Sequence, residues 1–306
     1  MAMAMAMAKA LANLNLTDHV VSKRNQGRPS LSYRPMMVTM CYKKPYWASV
    51  HEDIESHLKQ AIVVKEPVEV YEPMRHLVFS VPVNMAPALC IAGCELVGGH
   101  REQATAAAAA LHVVYAASFV HEHLPLSDRP SLVPPPKSKP VMYHAFSSNI
   151  ELLIGDGMIP FGLELLANSE NPDQDNSGRI LRVMGEITHA VGSEGMVSGQ
   201  YNELQCSGSK GKDVKCEEMK NHAYEKKEGG LHACGAACGA ILGGGSEEEI
   251  EILRRYGFYV GMMQRLGSKK EVEELKKLAV EQIKGRFDEA KVEEISTYFE
   301  WNLSRV

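Results

Sequence analysis

His121-Glu122-His123-Leu124-Pro125, with Asp128 just beyond, gathers imidazoles and carboxylates at the end of an apolar run. Side chains of these types could bind a metal ion or move a proton. Their spacing argues against a shared ion. Successive residues of a helix turn by about 100°, so His121 and His123 point about 200° apart; His-x-His chelates from a strand. His112 and His123 do share a face, but eleven residues of rise separate them by about 16 Å. Neither the H-E-x-x-H spacing nor a C-x-x-C pair occurs. Read from its residues, the cluster caps and solvates a helix end.

Cysteine is the second reactive type. Seven cysteines, an odd number, lack the density of a secreted disulfide scaffold and fit a reducing compartment. "CIAGC" sets Cys90 and Cys94 four apart, and "CGAAC" does the same for Cys234 and Cys238. Each pair shares a helical face, where a disulfide's torsional demands are not readily met. Both pairs are embedded in small residues, so each face is nearly flat and lets another helix come close. Two roles follow: close packing inside the chain's own bundle, or docking of a partner subunit through Cys90, Cys94, Cys234 and Cys238.

These residues must be positioned by helices. From Tyr46 onward apolar residues recur at helical spacing, and helices are expected over 46–64, 87–97, 104–123, 148–168, 178–205, 214–242, 246–266, 269–284 and 288–303. No alternating pattern longer than a few residues occurs, so the fold class is all-α. "RPSLVPPPKSKP" at 129–140 is a proline-rich loop, and "QCSGSKGKDVK" lacks the phosphate-loop spacing G-x-x-x-x-G-K-[ST]. Residues 1–45 form a separate segment, with 46–306 as the helical domain. Before Glu52 the only acid is Asp18, against seven Lys and Arg, a composition of organelle-transit-peptide type or of a flexible tail. A net charge of −5 provides no basic field for nucleic acid, and no run has the ~20 continuous apolar residues of a membrane span.

At "LCIAGCELVGG", "VHEHLP", "IGDGMIPFGLELLA", "RILRVMGEITHAVGSEGMVSGQ" and "GAILGGGSEEEIEILRRYG" the chain resembles plant short-chain trans-prenyl diphosphate synthases of the geranylgeranyl diphosphate synthase type. The resemblance runs from about Trp47 to Lys270. It implies a single helical bundle around a central cavity, in which two Asp-rich motifs hold Mg²⁺ against an allylic diphosphate. The chain departs from that pattern at the metal. Glu122 and His123 stand where the family has paired aspartates, and imidazole is a poor ligand for hard Mg²⁺. Asp128 is retained. Ser268 and Lys269 occupy the second motif, "PVNMAP" replaces the segment that would bind isopentenyl diphosphate, and Lys227 and Gln200 remain as residual diphosphate-binding positions.

A chain with degenerate motifs and two C-x-x-x-C pairs resembles the small subunits of plant heteromeric geranyl diphosphate synthases. That resemblance implies a plastid protein with no catalytic residues and no bound cofactor of its own. It implies a heterodimer or heterotetramer with a geranylgeranyl diphosphate synthase-like large subunit, which carries the Mg²⁺ and is directed toward the C10 product of monoterpene biosynthesis. It also associates the four cysteines with the subunit contact. A weak stand-alone Mg²⁺-dependent prenyltransferase, and a recruiting subunit that leaves product length unchanged, are the alternatives.

Overall fold

The computed structural model describes residues 45–124, 145–169, 176–207, 214–265 and 269–298. Asp128, Ser268 and nearly all of the 1–45 segment lie outside the described residues. Helix α1 (Tyr46–Ala61) buries Trp47, Val50, Ile54 and Leu58, a single apolar stripe at three- and four-residue steps. Helix α2 (Val68–Ser80) follows, then α3 (Ala86–Leu96), whose residues are buried on nearly every side. An all-round apolar helix has to be central. Helix α4 (Arg101–His123) is alanine-rich, and α5 (Ser148–Ala167) packs along it. Among the described residues α4 alone is long and apolar enough to cross a membrane by length and composition; 67% of its most apolar window is buried within the protein, as in a core helix.

Helices α6 (Ser177–Val191), α7 (Met196–Ser207) and α8 (Val214–Tyr224) come next. A π-helical turn over Glu225–Gly229 joins α8 to α9 (Gly230–Gly243), and α10 (Glu247–Met262), α11 (Lys269–Ile283) and α12 (Glu289–Ser296) complete the described bundle. No strand occurs among the described residues, in agreement with the all-α expectation. The second central helix is α9, packed between α3 and α10.

Where α3 crosses α9 the two backbones nearly touch. A Cβ on Gly93 would stand 2.5 Å from Ala236 O, and side chains on Gly235 or Gly239 would collide with the carbonyls of Ala86 and Cys90. Only glycine allows this approach. Ion pairs tie α6 to α10, with Arg254 Nη1 and Nη2 donating to Glu186 at 2.8 and 2.9 Å, and Arg182 paired with Glu247.

Two expectations differ from the fold. The helix expected over 178–205 is divided between α6 and α7 at 192–195, where the Gly192 N–H turns back to His189 O at 3.3 Å. The helix α2 was missed, because Pro67 at its N-cap and Pro73 in its second turn obscure the apolar period.

Candidate functional site

Tyr115, Ser118, Phe119 and Glu122 recur along α4 at three- and four-residue steps and so project from one face, with His123 beside them. They line one wall of a cavity of about 200 Å³. Met196 and Glu203 of α7, Tyr224 of α8 and Lys227 and Glu228 of the π turn close the opposite side. A π turn inserts one extra residue per turn and re-aims the side chains that follow. Gly199 makes room for the result: a Cβ there would stand 2.8 Å from Lys227 Cγ and 3.0 Å from Ala223 O.

The Lys227 ammonium is the hub of this cavity. Its Nζ donates to Glu122 Oε1 at 2.8 Å and to Glu203 Oε2 at 2.7 Å. Its side chain is 11% exposed, against 33% for Glu122 and 28% for Glu203. Burial pulls the Lys227 pKa down, but the charges and hydrogen bonds of Glu122 and Glu203 outweigh that effect and leave it above the ordinary lysine value. Glu203 lies above the usual carboxylate range, chiefly through burial and despite Lys227. Burial raises Glu228 as well, with Lys227 opposing and Glu122 adding to the rise.

A catalytic Mg²⁺ asks for near-octahedral oxygen donors at about 2.0–2.1 Å. Among the described residues the donor set does not meet that demand. Glu122 already holds a lysine ammonium. His123 Nδ1 donates to Phe119 O at 2.8 Å, and its ring lies stacked on Phe119 with centroids 4.0 Å apart. Among the described residues no group of three His, Cys, Asp or Glu side chains is placed to hold an ion. The cavity is also smaller than the ~300–1,000 Å³ of ordinary small-molecule sites, and its three carboxylates oppose a diphosphate.

The other residues singled out by sequence fall as follows. His121 turns away from His123 and sets Nε2 3.3 Å from Asp156 Oδ1 of α5, the divergence that helical rotation requires. His112 is far from the cluster, with Nε2 bonded to Val78 O at 2.9 Å. Gln200 Nε2 reaches Ser118 O at 3.5 Å. Lys227, expected as a residual diphosphate-binding position, has its charge engaged by two carboxylates. Lys269 is exposed at the start of α11. Sequence reasoning missed Glu203; its signal was the four-residue step from Gly199, which places it on the face that meets Lys227.

The four motif cysteines lie at the centre of the bundle. Cys90, Cys94, Cys234 and Cys238 are 0–2% exposed, packed where α3 and α9 cross. Cys94 Sγ donates to His100 O at 3.3 Å, and the thiols of Cys234 and Cys238 lie 3.7 Å apart as an unoxidised pair along one helix. Burial pushes the Cys94 thiol up to about 12, and Cys90 is raised for the same reason. Within this chain the thiols act as small core side chains. Of the two roles open from the sequence, the structure of the single chain bears on close packing, which it shows.

No family model matches the chain. Among curated proteins, a chloroplastic heterodimeric geranylgeranyl pyrophosphate synthase small subunit 2 of Cannabis sativa is 48% identical over 87% of this chain and 96% of its own length. Among solved structures, the geranyl diphosphate synthase small subunit of Antirrhinum majus superposes with a TM-score of 0.73 at 50% identity, over 83% of this chain and 97% of that one. A chain of the heterotetrameric geranyl pyrophosphate synthase of mint superposes with a TM-score of 0.70 at 43% identity, over 84% of this chain and 99% of its own. A lysine-filled cavity in a prenyl-synthase bundle, together with these relatives, leads to one assignment: the chain belongs to the small-subunit family of heteromeric geranyl and geranylgeranyl diphosphate synthases, a branch of the trans-prenyl diphosphate synthases.

Proposed function

We propose that the chain is the non-catalytic regulatory subunit of a plastid prenyl diphosphate synthase. It binds a geranylgeranyl diphosphate synthase-like large subunit and directs that subunit toward geranyl diphosphate, the C10 product. The observation that carries the non-catalytic reading is the Lys227 ammonium bridging Glu122 and Glu203. An ammonium shared between two carboxylates engages oxygen donors that a diphosphate-bound metal cluster would need. The chain therefore contributes shape rather than a second metal centre. Partnership is supported by large apolar side chains left in water on α5, α6 and α7, among them Leu153 (63% exposed), Leu181 (71%) and Tyr201 (60%). Exposed apolar surface of this kind is a usual mark of an interface. Plastid localisation agrees with the chloroplastic relatives and with the basic, acid-poor N-terminal composition.

Steering product length requires little energy. A difference of about 1.4 kcal/mol between product release and further elongation changes their ratio tenfold. The test is to mix the purified chain with a catalytic large subunit, isopentenyl and dimethylallyl diphosphates and Mg²⁺, then measure complex formation and product length. A C20-to-C10 shift is expected, with no turnover by the isolated chain. Turnover by the isolated chain would reject the non-catalytic reading. The Cannabis relatives are named as geranylgeranyl pyrophosphate synthase subunits, which favours a second reading in which the subunit recruits the enzyme and leaves the C20 product in place. A stable complex with unchanged product length selects it.

A further inference from the structure

Outside the two C-x-x-x-C motifs the described residues hold one further cysteine pair, and it lies on two different helices. Cys206 sits in the last turn of α7 and Cys216 in the first turn of α8, with both side chains 7% exposed. Cys206 Sγ donates to Cys216 O at 3.2 Å, and Cys216 Sγ returns to Cys206 O at 3.9 Å. Each thiol is thus laid against the backbone carbonyl of the other residue. The Cys206 thiol is pushed up to about 11 by burial first, then by the hydrogen bond and charge of Cys216, a further sign that the sulfurs sense each other. Cys234 and Cys238 differ in kind, since an i, i+4 pair on one helix does not readily reach the dihedral near 90° that a disulfide requires.

We propose that Cys206 and Cys216 are a reversible redox modification site, closing an intramolecular disulfide that staples α7 to α8 beside the lysine-bridged cavity. The oxidant is a disulfide, of low-molecular-weight or dithiol-protein class. One cysteine loses its proton and its thiolate attacks the oxidant, forming a mixed disulfide and releasing one reduced thiol. The second cysteine, also deprotonated, attacks the first cysteine's sulfur. The Sγ–Sγ bond forms, the mixed disulfide breaks, and a second thiol leaves. Two electrons and two protons have then passed from the pair to the oxidant. Access comes from the helix termini, which open at lower free energy than helix centres. A thiol raised to about 11 is seldom ionised near neutral pH, so the exchange is slow. The staple matters because α7 supplies Glu203 and α8 supplies Tyr224 to the cavity wall. Fixing these two helices restrains the seat of the Lys227 bridge.

The experiment equilibrates the full chain with mixtures of glutathione and glutathione disulfide, followed by alkylation under denaturing conditions and peptide mapping. The expected result is loss of two alkylatable thiols, a single cross-link between the peptides of Cys206 and Cys216, and full reversal by dithiothreitol. Closing this short loop should raise Tm by about 5 °C. Amide exchange over 196–224 should slow in the oxidised form. Cys206→Ser should abolish all three effects; should that variant not fold, the wild-type map and its reversal decide alone. Glutathione adducts without a cross-link, links that involve other cysteines, or resistance to oxidation would each overturn the proposal.

Discussion

Lys227 shows how one side chain can organise a cavity lined with carboxylates. Three carboxylates, from Glu122, Glu203 and Glu228, face it around the cavity, and two of them bond to it directly. Lys227→Met would leave those carboxylates facing one another without a cation. Removing one partner of a fully buried pair costs about 3–5 kcal/mol; solvent reaching the roughly one-third-exposed carboxylates reduces this to about 2 kcal/mol. Urea unfolding checks the value, and Glu122→Gln in the same chain should recover part of the loss. The pH sign is fixed by the raised lysine pKa. The bridge contributes fully below the unfolded lysine value near 10.5 and is lost as pH climbs through the higher folded value. Glu122 was legible in the sequence as an altered metal position, and Lys227 through its place in the family pattern. Their mutual bond was not legible. It depends on a π turn and on α7 lying against it, and neither leaves a local period to read.

At the scale of elements, the α3–α9 crossing carries the most sharply opposed predictions. Gly239→Ala places a methyl group into Cys90 O, so the helices must separate, and a cost of about 3 kcal/mol is expected. Gly185, exposed within α6, has nothing within 4 Å of a built Cβ. Gly185→Ala should therefore stabilise the chain by about 0.5–1 kcal/mol, through helix propensity and reduced unfolded-state freedom. Thermal melts of the two variants should shift in opposite directions. The same geometry decides what the cysteines do. Cys90→Ala and Cys234→Ala should each lower Tm of the isolated chain, because each leaves a small cavity at the crossing. A residue that touched only a partner would leave that melt unchanged. Most helices were legible, since α1 and α6 show clear apolar stripes and "ELVGG" marks the end of α3, where Gly98 takes φ 94°. The direction in which the cysteine faces point was not legible. Small residues at four-residue spacing suit an internal crossing and an external one equally, and only the presence of α9 over α3 distinguishes them.

The behaviour of the whole molecule with pH follows from summing its buried titrating groups. His232, on the central helix α9, is fully buried, with Nδ1 donating to Glu228 O at 2.7 Å and Nε2 lacking a partner among the described residues. Burial lowers its pKa to about 4, with the Glu228 carbonyl bond opposing. Burial also lowers His112, against the opposing Val78 bond, and His57. A histidine with a depressed folded pKa stabilises the fold fully above its unfolded value near 6.5 and progressively less as pH falls through the folded value. For His232 the loss between pH 6.5 and 4 amounts to about 3 kcal/mol. Glu203 and Glu228 act in the opposite direction. Their folded pKa values lie above the unfolded one, so between those values the fold gains stability as they take up protons. Chemical denaturation between pH 6.5 and pH 4 should therefore carry a contribution from His232 that falls with acidity, at a slope approaching one proton per molecule. His232→Leu should remove about one proton from the slope of stability against pH in that window. An unchanged slope in that variant would mean that His232 takes up its proton without leaving the native core.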